Sequence, residues 1–155
     1  MITELEISRA DILSGLTDED RAILLNDFEE LNLSPDSALI HEGREASGAF
    51  LVLEGHVEAE KMLPGETKRL LASTVPIGEW VGVVSLMDDK PATATVRAIS
   101  ASRVLAINRQ TFARYMQGDS PVGIRFHRAL LRSVANQLSR VNKNVISLRA
   151  AASDR

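Results

Sequence analysis

At 155 residues, 45% hydrophobic and 25% charged, the chain has the size and composition of one globular domain with a substantial core. It contains no cysteine, which excludes a disulfide framework and a thiolate zinc site, and no stretch approaches the length of an apolar membrane span. Its net charge of −3 is unevenly placed: seven Lys or Arg against one Asp from Ser120 onward leave the preceding residues at −9.

The opening residues, MITELEISRADIL, lack a basic region followed by an apolar run, so nothing argues for secretion and a cytoplasmic protein is expected. Ser8 and Thr17 read as helix caps. Thr17 with Asp20 forms an acidic variant of a capping box ahead of Ile23, Leu24 and Phe28, which predicts N-terminal helices within residues 1–30. From 31 to 108 the pattern changes to brief alternating or apolar runs broken by turn residues. AFLVLEGHVEA turns at Glu54 and Gly55, EKMLPGETKRLLAS bends at Pro64 and Gly65, and ATVRAI is expected to pair with SRVLAI around the Ser100 to Ser102 corner. Roughly seven short strands at this spacing predict a mainly β fold with flanking helices, an antiparallel β-roll of the double-stranded, jelly-roll-like kind.

Within the roll, residues 82–96 read GVVSLMDDKPATATV: a glycine, a short helical turn, then proline and a small-Ala-Thr-Val run leading into a strand. This segment resembles the phosphate-binding cassette of cyclic nucleotide-binding domains, the family of the catabolite activator protein and the protein kinase A regulatory subunit. Gly82, Pro91, Ala94, Thr95 and Val96 fall on the family pattern without insertion. In that family a Glu follows the glycine and accepts a hydrogen bond from the ribose 2′-hydroxyl, and an Arg follows the proline and pairs with the cyclic phosphate. Val83 and Ala92 stand at those positions, so the resemblance implies a ligand pocket, formed by Gly82, Val83, Val84, Ser85, Ala92 and Thr93, that has lost both polar contacts. Each missing hydrogen bond costs about 1–3 kcal/mol, so cyclic nucleotide binding is expected to be weak or absent. The other Gly-Glu pair, Gly78 and Glu79, lies too far from its next arginine, Arg97, to start the cassette, and Glu79 reads as a solvated turn residue.

The resemblance spans nearly the whole chain. Gly43, Phe50, Leu51, Val52, Gly55 and Val57 are similar to the family's hairpin, Arg109 to Gln117 to the helix after the roll, and Pro121 begins a further helix. Helices are thus expected over 109–150, with a short tail at 151–155. In the last helix, Ile124, His127, Leu131, Val134, Leu138, Val141, Val145 and Leu148 recur at alternating spacings of three and four, a coiled-coil seam that predicts a homodimer. A second stripe, Phe126, Ala129 and Leu130, is available to pack on the roll. The basic residues Arg125, Arg128, Arg132, Arg140, Lys143 and Arg149 read as a solvated face. His127 reads as a structural polar residue within the seam.

His41 and His56 stand alone on separate strand segments, so no metal site is expected. Ser85 and Thr93 have no base beside them, and no nucleophile elbow, phosphate loop or kinase motif occurs, so neither catalysis nor a cofactor is expected. Transcription factors of the family continue into a winged helix-turn-helix, whereas these residues stop at Arg155, which leads us to expect no DNA-binding module. The chain therefore reads as a non-catalytic regulatory or scaffold domain acting through a protein partner. The alternative is a sensor that binds a cyclic nucleotide weakly or another small molecule in the roll.

Overall fold

Thr17 Oγ1 accepts the Asp20 N–H at 3.1 Å while the Asp20 carboxylate accepts the Thr17 N–H at 3.0 Å, so the capping box closes and starts helix α1 (Asp18–Asp27). The computed structural model describes residues 15–65, 67 and 69–153; the helix cap expected at Ser8 lies outside them. After α1 the chain forms β1 (Glu29–Leu33), β2 (Ala38–Ile40), β3 (Gly48–Glu54), β4 (Val57–Met62), β5 (Arg69–Val75) and β6 (Trp80–Val81). The short helix α2 (Val83–Asp88), strands β7 (Thr95–Ala98) and β8 (Ser102–Asn108), and helices α3 (Arg109–Gln117) and α4 (Pro121–Ser153) follow. The first strand begins inside the 1–30 boundary, and α4 runs through the tail expected from 151, to Ser153.

Two antiparallel sheets build the roll, in the orders β1-β8-β3-β6 and β2-β7-β4-β5. The pairing expected between ATVRAI and SRVLAI does not occur: β7 pairs with β2 and β4, whereas β8 pairs with β1 and β3. The Ser100 to Ser102 corner instead carries the chain between sheets. It is pinned to the β3–β4 turn, where His56 donates its N–H to Ser100 Oγ at 3.1 Å and accepts the Ile99 N–H at 2.8 Å. Val96 of β7 and Val104 and Ala106 of β8 instead belong to one apolar cluster in the roll interior.

The β3 run GAFLVLE is apolar on both faces because both are covered. Phe50 and Val52 point into the roll with Val57, Val75, Ala92 and Val96, while Ala49, Leu51 and Leu53 face the helices. On the helical side lies an aromatic cluster in edge and tilted geometries. Trp80 lies 5.8 Å from Phe28 and 6.2 Å from Phe126, and Tyr115 lies 5.6 Å from Phe126, between ring centres. Phe126, Ala129 and Leu130 are fully buried there, as their stripe predicts. Asn108 caps α3 by accepting the Thr111 N–H at 2.8 Å.

Not all the basic residues of α4 form a solvated face. Arg125 reaches across to Asp20, donating from Nε and Nη2 at 2.5 and 2.6 Å. The hydrogen bonds from that guanidinium hold the buried Asp20 carboxyl well below the usual carboxylate range. One acidic residue thereby closes α1's cap and anchors α4 to it. Among the described residues, no helix is long and apolar enough to cross a membrane.

Candidate functional site

Gly82 opens the cassette with φ +87°, a left-handed conformation that favours glycine, and a side chain there would meet the Gly48 carbonyl oxygen at 2.6 Å. From that turn α2 rises, with the Leu86 N–H reaching the Gly82 carbonyl at 3.2 Å. Asp89, at φ +51°, ends the helix. Its carboxylate accepts from Arg109 Nη1 at 2.9 Å, and Arg109 Nε in turn donates to the Ala46 carbonyl at 3.2 Å, tying the cassette to the start of α3.

Beyond α2 the backbone is held like a strand. Ala92 donates its N–H to the Arg44 carbonyl and accepts from the Gly43 N–H, both at 2.8 Å, and Thr95 Oγ1 accepts the Glu42 N–H at 3.1 Å. The segment is thus fixed by contacts to which the side chains of Val83 and Ala92 contribute no hydrogen bond. Val83, only 3% exposed, belongs to the helix-side core with Trp80, Phe126 and Leu130. Ala92 sits in the roll-side core beside Phe50 and Val96.

Gly82, Val83, Val84, Ser85, Ala92 and Thr93 all border one cavity of about 220 Å³ between the two sheets and α4. Ligand pockets for drug-sized molecules run to about 300–1,000 Å³, so this one is small. Its walls are mainly apolar, among them Ile40, Val75 and Val81, with hydroxyls from Ser85 and Thr93. Among the described residues lining it, Arg140 of α4 is the one cationic side chain. That guanidinium is engaged: Nη2 donates to Glu79 Oε1 at 2.7 Å and Nη1 to Oε2. The hydrogen bonds to Glu79 raise the Arg140 pKa further above its ordinary value. Three residues earlier, Gln137 Nε2 donates to the Trp80 carbonyl at 2.8 Å.

Glu79 is therefore not the solvated turn residue expected, and Arg140 does not belong to a solvated face; their side chains are 15% and 38% exposed. The signal for Gln137 and Arg140 was in the helix periodicity. The stripe Phe126, Leu130, Ser133, Gln137, Arg140 continues at spacings of four and three, so the face that buries apolar residues at its start presents donors where it passes the cavity.

Within the seam, Ile124, Leu131, Leu138, Val141, Val145 and Leu148 are exposed on the single chain. Val134 is half-buried against the helix-side core, and Val141 also borders the cassette cavity. His127 is half-buried and lines a separate apolar hollow of about 470 Å³ with Leu86, Met87 and Phe112.

A closed antiparallel roll, capped by helices and carrying a glycine-started helical turn beside an internal cavity, defines a β-roll domain with a phosphate-cassette frame. A model of the cyclic nucleotide-binding domain matches residues 30–119, more than half of the chain, and the chain belongs to that family. The cAMP-dependent protein kinase regulatory subunit of Dictyostelium discoideum is 23% identical over 111 residues, which cover 70% of this chain and 34% of that protein. The CRP-like cAMP-activated global transcriptional regulator of Mycobacterium tuberculosis is 23% identical over 142 residues, covering 92% of this chain and 61% of the relative. The chain thus spans less than two thirds of either. A crystal structure of a cyclic nucleotide-binding domain from Methylobacillus flagellatus shares the fold at a TM-score of 0.80 and 17% identity, covering 92% of this chain and 80% of the other.

Proposed function

We propose that this chain is a non-catalytic regulatory or scaffold domain that has lost the family's cyclic nucleotide binding, pairs as a homodimer along α4, and acts through a protein partner in the cytoplasm. The observation that carries the reading is the chemistry of the cassette cavity. Val83 and Ala92 supply no polar contact, and Arg140, the cation on the cavity wall, is already bound to Glu79. Among the described lining residues, a cyclic phosphate entering there would find no free guanidinium and would have to strip Arg140 of a bidentate partner, leaving a partly buried charge unpaired. The relatives named above are a kinase regulatory subunit and a transcriptional regulator, which fits a non-catalytic role.

Calorimetric titration of the wild-type protein with cyclic AMP, cyclic GMP and a cyclic dinucleotide tests the reading. No heat of binding is expected at micromolar concentrations, and low-micromolar binding of any of the three overturns it. A second reading, a sensor for a small molecule other than a cyclic nucleotide, draws on the Ser85 and Thr93 hydroxyls that border the cavity.

A further inference from the structure

Glu79, in the turn before β6, places a carboxylate against α4 at the edge of the cassette cavity. We propose that the Glu79–Arg140 ion pair latches α4 to the turn before β6, so that the outer half of the seam is held in place by the chain's own charges, without a bound effector. This rests on the ligand-loss reading above and specifies how the site works without ligand.

Three features of the geometry lead to it. The first is that Glu79 is a rigid anchor. Its carbonyl accepts the Val52 N–H at 3.2 Å, and the neighbouring Gly78, at φ +86°, donates to the Val52 carbonyl at 2.7 Å, so the carboxylate projects from a turn fixed to β3. The second is that the contact is two-pronged: a planar guanidinium meeting both oxygens of one carboxylate restricts orientation as well as distance, which a single lysine contact would not.

The third is position along the helix. Arg140 is the last residue of α4 that is not exposed; every residue from 141 to 153 is open to solvent on the single chain. The latch therefore acts where α4 leaves the roll and where Val141, Val145 and Leu148 begin. With Gln137 on the Trp80 carbonyl one turn earlier, it fixes the direction in which those residues point. Among the described residues, the apolar contacts of α4 with the helix-side core reach Val134, and Gln137 adds a neutral hydrogen bond beyond them.

Hydrogen exchange followed by mass spectrometry, with no nucleotide present, tests the latch on the wild type, Glu79→Gln, Arg140→Gln and the reversed pair Glu79→Arg with Arg140→Glu. Peptides covering residues 134–144 should exchange about tenfold faster in each single variant, the scale of coupling seen for residues sharing one ion-pair network, and the reversed pair should recover part of that protection. Peptides from β3 and β8 should be unchanged. Single variants that exchange like the wild type overturn the proposal. Protection lost evenly over β3, β8 and α4 also overturns it, since the pair would then be a general stabiliser. Because no nucleotide enters this experiment, its failure leaves the ligand-loss reading standing, while nucleotide binding by the wild type refutes that reading by a separate measurement.

Discussion

Replacing Leu138 by aspartate tests the proposed seam most sharply, because the single chain makes almost no use of this side chain. Leu138 is 61% exposed, so the fold loses little when it is changed. Aspartate at an exposed helix position costs about 0.7 kcal/mol of helix propensity at most, which moves the melting temperature by only a few degrees. In a homodimer paired along α4 the same position lies opposite its copy. Fully burying a leucine side chain yields about 1.5–3 kcal/mol, and the 61% still exposed leaves about 1–2 kcal/mol per chain to be gained on pairing.

The variant loses that contribution twice and brings two carboxylates together, adding repulsion of about 1–4 kcal/mol depending on how far water is excluded. The combined loss of about 3–8 kcal/mol weakens self-association by at least two orders of magnitude, at about 1.4 kcal/mol per tenfold. Light scattering and sedimentation over a range of concentrations should show a dimer for the wild type and a monomer for Leu138→Asp, with matching far-ultraviolet circular dichroism. Ser139→Asp, at an exposed position off the seam, should remain dimeric. A wild-type monomer at high micromolar concentration, or an unchanged mass for Leu138→Asp, refutes the reasoning and moves any interface elsewhere.

Gly82→Ala should lower stability by about 2–4 kcal/mol in urea unfolding, since φ is +87° and the new Cβ would lie 2.6 Å from the Gly48 oxygen. Gly43→Ala, at φ +77° with open space around the site, should cost only about 1–2 kcal/mol, and equal losses would contradict the steric argument. Asp20→Asn should cost about 2 kcal/mol at neutral pH, below the usual range for a broken buried pair because Arg125 is partly exposed. The folded-state pKa of Asp20 is depressed, so its contribution is present above the unfolded value of about 3.9 and fades as pH falls below it. Urea titrations should therefore show the gap between wild type and variant closing below about pH 4, and a gap independent of pH would exclude the ion pair as its source. Tyr115 is the only tyrosine, and burial followed by its 2.5 Å hydrogen bond to Asp27 pushes its pKa up to about 12. An ultraviolet difference titration with a midpoint at the ordinary value of about 10 would show that the phenol is not enclosed.

The features legible in the sequence were those set by near neighbours along the chain. The Thr17 and Asp20 cap, the turns at Gly55 and Gly65, the Gly82 frame and the Phe126 stripe each depend on residues within a few positions of one another. Strand pairing was less legible, because a period of two assigns a residue to a face but not to a neighbouring strand. Adjacency along the chain therefore points to a β7–β8 pair, although the chain changes sheets between them. The charged residues of α4 were least legible. Arg125, Arg128 and Arg140 look alike in the sequence, and what separates them is a carboxylate brought near by the fold, 105 residues away for Arg125 and 61 for Arg140.

The cassette and α4 are not separate parts in this chain. Trp80 joins them: its ring lies edge-on to Phe126 of α4, its carbonyl accepts from Gln137, and it shares an apolar cluster with Val83, the residue that the family resemblance matches to a ribose-binding glutamate. A glutamate at that position would have to leave this cluster or be paired within it, since a lone buried carboxylate is costly. Valine needs no partner and packs where it is. Val83 thus extends the core between cassette and α4, and the Glu79–Arg140 pair closes the same junction at its polar edge. On the proposed ligand-loss reading, the missing polar contact and the attachment of the helix are two consequences of one packing arrangement.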